Sequence, residues 1–488
     1  MSLKKELVSG TIYMAIARYS GLVMTILISA ILSRLLTPEN YGVVALATVM
    51  LALFNLFADI GIGPAVIQNK TLTAEDMNSI NTFNSYQGLV LGVAFFLSAP
   101  YIAEYYGNPQ VTLVCQVMSV NILMGCVNAV PNNILYRQQR FKLITIISLC
   151  TQFVGGAISI AMAFHGCGPI SLVLPTTILS IPNMFILRYI TKIHFVWRID
   201  WAPLKRIFSF SAFQFLANMV GYLSRNMDSM LVGKYMGMKQ LGYYNKSYNL
   251  QLMPLQYISG VLIPVMLPVF SKYQDDLEYI QQKYSQILRF FAFIGVPLCA
   301  LLYFCADELI LLFFGDQWGQ SVPCFKILAI SVPFQIMGCS SGSIFQATGH
   351  TKAMFWNSFI GAFFTLGSFA VGVIVFGTIE ALAWGYTAAM IITTSICFYI
   401  MYSYALKSSF MIYLREMVAP AVFGIFLCVV LYFTSLLPIS IPFVAMVVKG
   451  MVGVTFSVLY VQLLGYYDVF TFLRKGLKKV HILKSIVR

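Results

Sequence analysis

The stretch Arg34-Leu-Leu-Thr-Pro-Glu-Asn-Tyr-Gly42 decides how this chain is read. It closes a long apolar run on a basic residue, makes a short polar turn, and re-enters apolar sequence through a glycine. Two hundred residues later Lys234-Tyr-Met-Gly-Met-Lys-Gln-Leu-Gly242 does the same. Identity between the two is slight, but the grammar repeats. It predicts two halves of like construction, each opening with a pair of apolar helices joined by a tight turn.

Composition sets the environment of those helices. Of 488 residues, 59% are hydrophobic and 10% charged, with mean hydropathy +0.81. A soluble chain carries about 25% charged residues. Apolar runs long enough to cross hydrocarbon recur along the whole length, so the chain reads as a polytopic membrane protein. We read about fourteen spans, near 10–36, 41–66, 79–99, 109–131, 142–165, 168–190, 208–236, 241–270, 285–314, 322–347, 352–376, 378–404, 412–436 and 440–466. The expected fold is all-α. It has two six-helix lobes related by a pseudo-two-fold axis along the membrane normal, plus two C-terminal helices. The expected divisions are 1–190 for the first lobe and 191–207 for an amphipathic cytoplasmic linker bearing Trp197 and Trp201. They continue with 208–404 for the second lobe, 405–466 for the extra helices and 467–488 for a basic tail. The first run, preceded by Lys4 and Lys5, is too long for a cleavable signal and long enough to span.

The net charge of +14 is a topology signal. With both termini inside, 23 of the 31 Lys and Arg fall on the cytoplasmic side and five outside, Arg34 and Lys234 among the five. Arg18, Arg225 and Lys449 remain within spans. That asymmetry predicts cytoplasmic termini, and it removes the need for a nucleic-acid partner.

Charge inside a span is costly and points to function. In span seven Gln214, Asn218, Arg225 and Asp228 lie on one helical face, with Gly221 filling the spacing. Spans one, two, eight and ten add Arg18, the pair Asn55 and Asp59, Asn249, and Gln346 on stripes of their own. These stripes predict a shared hydrated cavity. Arg18 and Arg225 suit a phosphate, and Asn218, Gln214, Asn55, Asn249 and Gln346 suit sugar hydroxyls. Asp59 and Asp228 are the candidate ion-coupling carboxylates. Simpler readings stand beside these. Arg225 and Asp228, at i and i+3, can satisfy each other. Arg18 can snorkel to the inner interface, and any one Asn or Gln can serve as an interhelical hydrogen bond.

Other chemistry has no anchor. Ten cysteines show no CxxC spacing, and those within apolar runs, such as Cys115, Cys126, Cys150, Cys299 and Cys397, read as small core residues. Four scattered histidines suggest no metal. There is no Walker motif and no nucleophile–base constellation, so we expect neither a cofactor nor an enzyme.

Several blocks resemble a known family. They are ILSRLLTPENYG (31–42), FADIGIGPAVIQ (57–68), NMDSMLVGKYMGMKQLGYYNKSYNL (226–250), PVMLPVFSKYQDD (264–276), FFGDQWGQSVPCFKILAI (313–330) and QATGHTKAMF (346–355). They are similar to bacterial polysaccharide transporters, the Wzx-type oligosaccharide flippases, and most to exporters of the colanic-acid and teichuronic-acid type. The wider superfamily also holds multidrug antiporters and the peptidoglycan-precursor flippase.

The resemblance implies a bacterial inner-membrane protein. It would move undecaprenyl-diphosphate-linked oligosaccharide to the outer leaflet by alternating access, for surface polysaccharide or O-antigen synthesis. The implied partners are the lipid-linked substrate, membrane lipids, and a polysaccharide polymerase with its chain-length machinery. It supplies no site residues; Arg18 and Arg225 come from the stripes. A cation-coupled multidrug antiporter of the same fold would favour an acidic cavity. A peptidoglycan-precursor flippase would carry more basic residues in the first lobe. A polyprenyl-linked glycosyltransferase or polymerase would need a large outer loop with carboxylates.

Overall fold

Apolar runs become helices because hydrocarbon offers the backbone no partner, and a helix pairs its own N–H and C=O groups. The computed structural model follows this rule. It describes residues 3–58, 66–67, 72–197, 200–201 and 211–465, with the side chains of 3–17, 211–217, 261–262 and 264 outside the description. Among the described residues there is no strand.

The first helices are α1 (Leu3–Leu35), α2 (Pro38–Ala58), α3 (Ala74–Tyr106), α4 (Gln110–Arg137), α5 (Phe141–Phe164) and α6 (Ile170–Thr191). Next come α7 (Ser211–Tyr235), α8 (Gly237–Phe270) and α9 (Leu277–Phe304), then the short α10 (Ala306–Phe314), α11 (Ser321–Ala329), α12 (Val332–Gly338) and α13 (Ser341–Ala347). α14 (Thr351–Ala370), α15 (Ile379–Ile400), α16 (Phe410–Ser435) and α17 (Pro442–Leu463) complete the set.

Local sequence explains the boundaries. Thr73 caps α3 in a reciprocal box, its hydroxyl accepting from Asp76 N–H while the Asp76 carboxylate accepts from Thr73 N–H. Gly107, left-handed at φ 67°, ends the same helix. Pro38 sits at the first position of α2, where its missing N–H costs nothing.

Twelve described helices are long and apolar enough to cross a membrane. The pair Ser321–Ala329 and Val332–Ala347, bent by 45°, makes thirteen if it is one broken span. The expected count of about fourteen is not reached, because α7 is not among these helices. Its 25 residues are long enough, about 37 Å, but Asn218, Arg225, Asn226, Asp228 and Lys234 lower its apolarity.

Close contacts sort the chain into two units. One comprises 1–246, 313–318 and 369–382, the other 247–312, 319–368 and 383–488. In the first, α3 packs on α4, α4 on α6, α1 on α5, and α2 on both α4 and α7. Residues after α6 fold back onto α3. Ile193 is buried with Ile80, Val130 and Ile134, and Val196 N–H donates to the Thr82 hydroxyl at 3.0 Å. In the second unit α9 is the central post for α11, α12, α16 and α17. Phe293, Phe423, Leu427 and Val461 form a core there. Lys449 of α17 is buried and pairs with Glu308, donating also to the Phe304 carbonyl. Cys115, Cys126 and Cys397 are buried as expected, whereas Cys150 is exposed on α5.

Candidate translocation site

The charge pair of α7 does not form. Asp228 is buried, with one carboxylate oxygen accepting from the Tyr244 hydroxyl of α8 and the other from Ser229 N–H, both at 2.7 Å. Arg225 is exposed. Its guanidinium folds back along α7 over Gly221, where an added Cβ would meet it at 3.5 Å. The ion pairs among the described residues are Arg289–Glu416, Lys326–Asp307 and Lys449–Glu308. Asp228 therefore ties α7 to α8, and Arg225 points elsewhere.

The Tyr222 hydroxyl of α7 donates to the Val49 carbonyl of α2 at 2.6 Å and so ties those two helices. Asn55 is exposed and Asn218 half-buried. Arg18 is exposed on α1, in the same unit. Asn249 and Gln346 are exposed in the other unit. Gln346 has its amide nitrogen 3.9 Å from the Met354 sulfur. Asp59 and the Gln214 side chain lie outside the described residues.

Sequence reasoning missed Lys246, which it counted only as one of the five basic residues, with Arg34, Lys234, Lys239 and Lys326, on the outer side. The residue is buried on α8, its ammonium donating to the Ser29 hydroxyl at 2.9 Å. That ammonium also lies 4.1 Å from the ring centroid of Tyr41, 4.4 Å from Phe314 and 5.5 Å from Trp318. Among the described residues no carboxylate pairs with it. The indole of Trp318 donates to the Ser33 carbonyl at 2.8 Å, and Gln317 donates to the Leu36 carbonyl at 3.1 Å. Three of the sequence blocks that carry the family resemblance thus meet around one lysine. Their aromatic content beside a lone lysine was the available signal.

The same end of the unit holds a reciprocal backbone contact. A Cβ on Gly42 would lie 1.7 Å from the Met238 carbonyl oxygen, and one on Gly242 would lie 1.9 Å from the Pro38 carbonyl oxygen. Each glycine faces a residue 200 positions from its counterpart's partner, the offset of the sequence repeat. No side chain fits at either crossing.

Comparison with known proteins gives the arrangement a context. The profile of a family described as "Polysaccharide biosynthesis protein" matches residues 31–323. Among curated relatives, the teichuronic acid biosynthesis protein TuaB of Bacillus subtilis is 24% identical over 86% of this chain and 87% of its own. The lipopolysaccharide biosynthesis protein WzxC of Escherichia coli is 22% identical over 86% of both. Among solved structures, the lipid II flippase MurJ in an inward closed conformation superposes with TM-score 0.71, covering 92% of this chain and 99% of MurJ at 16% identity. An inward-facing multidrug transporter of the MATE family reaches 0.56, covering 85% and 98% at 14%. At such identities the structural likeness concerns the fold.

Proposed function

Because the chain belongs to the polysaccharide biosynthesis protein family whose profile it matches, we propose that it is a flippase for undecaprenyl-diphosphate-linked oligosaccharide. It carries repeat units from the cytoplasmic to the outer leaflet of the inner membrane, for surface polysaccharide synthesis. The observation that carries this reading is Arg225, an exposed guanidinium free of Asp228 on the polar face of α7, which packs on α2. A diphosphate cannot enter hydrocarbon unaided, since an ionised group without compensation costs tens of kcal/mol by Born estimates, about 20 or more. Arg225 and Arg18 replace its water with donors that match phosphate geometry. Asn218, Gln214, Asn55, Asn249 and Gln346 serve the glycan, and the polyprenyl tail stays in lipid. Asp59 and Asp228 are the carboxylates available for ion coupling. No catalytic residue enters this reading.

The two lobes, 1–190 and 208–404, and alternating access between them belong to the same proposal. The reciprocal contacts of Gly42 and Gly242 support a pseudo-two-fold, because their partners exchange at a constant offset of 200. With both termini cytoplasmic, these contacts lie at the outer ends of α2 and α8. Outward release then requires those ends to part. A polymerase acting on the outer leaflet would consume the product.

The test is deletion in the native host, followed by measurement of lipid-linked oligosaccharide on each leaflet. Accumulation on the cytoplasmic leaflet with loss of surface polysaccharide is expected. Normal surface polysaccharide with altered dye efflux would overturn the assignment.

A further inference from the structure

A separate open cavity lies in the first unit, lined by α1, α4, α5 and α6 and by Tyr41 of α2. Its volume is about 750 Å³, within the roughly 300–1,000 Å³ of small-molecule sites. It follows one face of α5 from Ile144 through Ser148, Thr151, Gln152 and Gly155 to Ser159. Fifteen residues of helix rise about 22 Å, most of the roughly 30 Å depth of the hydrocarbon core.

The lining decides the chemistry. Ten of the nineteen lining residues carry a hydroxyl or an amide, and none carries a charge. The wall itself offers a phosphate no charge, the buried Lys246 ammonium lying behind Ser29 and Tyr41 at one end, and it gives a lipid tail no reason for its polarity. It offers mixed donors and acceptors, which is what a neutral sugar presents. Some of that capacity is used within the protein: Gln152 donates to the Gly21 carbonyl and the Thr25 hydroxyl, and Thr176 to the Val173 carbonyl. Some is not. Asn183 lines the cavity, and its side-chain oxygen is buried behind that wall with no hydrogen-bond partner. A buried acceptor left unpaired is costly, so a ligand that donates to it binds with advantage. The Tyr41 ring supplies a flat apolar surface at the end nearest Lys246, suited to the apolar face of a pyranose.

We propose that this cavity is a neutral-glycan subsite, distinct from the arginine-bearing face of α7, which holds the first sugars of the lipid-linked cargo. The assignment rests on the flippase reading. It separates two recognition tasks that the cargo itself separates, an anionic diphosphate and an uncharged carbohydrate.

The test uses the full chain in lipid nanodiscs and two probes, undecaprenyl diphosphate and undecaprenyl diphosphate–glucose, with affinities read by native mass spectrometry. The sugar is expected to tighten binding at least tenfold in the wild type. Thr151→Trp, which fills the cavity, and Asn183→Leu, which keeps its volume and removes the unpaired oxygen, should each bind the bare lipid as the wild type does and lose most of the sugar's increment. Equal wild-type affinity for both probes overturns the subsite and leaves the flippase reading standing. So does retention of the increment in both variants. Failure of the wild type to bind either lipid overturns the flippase reading, and the subsite with it.

Discussion

Lys246 is the residue whose environment asks most of explanation. A buried ammonium without a carboxylate has lost its hydration, and rings and one hydroxyl return only part of that. Cation–π contacts reach about 2 kcal/mol when desolvated, while the effective penalty for burying an ion is several kcal/mol. The fold alone would therefore do as well with an apolar side chain of the same reach. Lys246→Met is expected to leave thermal stability in detergent unchanged or raised, while surface polysaccharide in the complemented host falls severalfold. A loss of stability with export intact would make the lysine purely structural. Asp228 and Arg225 permit a cleaner test, because the geometry separates them. Arg225→Ala and Asp228→Asn should combine additively in a stability cycle, within about 0.5 kcal/mol. Asp228→Leu, which removes the carboxylate that the buried Tyr244 hydroxyl donates to, should cost about 1–3 kcal/mol where Asp228→Asn costs less.

Among the elements, α2 and α8 meet where neither can carry a side chain. Gly42→Ala or Gly242→Ala drives a methyl into a facing carbonyl oxygen, so the helix ends must separate. Each variant should lower the melting temperature and weaken closure at this end. Gly125→Ala on α4 is the control, since nothing lies within 4 Å of its added Cβ; it should be neutral or gain about 0.5–1 kcal/mol. For α7 the question is insertion. Arg225 and Asp228 oppose entry into lipid when the helix stands alone, and neighbours must compensate. In a translocon assay of the isolated segment, Arg225→Leu should improve apparent insertion by about 3 kcal/mol. The polar stripe of α7 was legible in sequence because 3.6-residue periodicity is local. The Asp228–Tyr244 tie was not, because i, i+3 spacing suggested a nearer partner. The Lys246 cage was further out of reach, since it joins Ser29, Tyr41 and Trp318 from segments about 200 and 70 residues away.

At the scale of the whole molecule, span parity and charge distribution make a joint claim about sidedness. The helices of adequate apolarity number twelve, or thirteen with the bent pair. If α7 also crosses, the total is fourteen and the two termini share a side; if it lies elsewhere, they are opposed. We propose the fourteen-span path on charge, because it puts 23 of 31 basic residues on one face, and thirteen would reverse the assignment for every segment after α6. That reversal would place the cluster Lys272, Lys283 and Arg289 outside, against the bias that orients helices during insertion. Reporter fusions at residue 1 and after residue 465 are expected to report the cytoplasm in both cases. A third fusion between α7 and α8, near Gly237, should report the exterior. A cytoplasmic signal near Gly237 with an external C-terminus would remove α7 from the spans, and would also undo the pseudo-two-fold. The reciprocal Gly42 and Gly242 contacts bring the 36–42 and 237–242 turns together, and the proposed fourteen-span path, in which α7 crosses, has both turns emerge on one side.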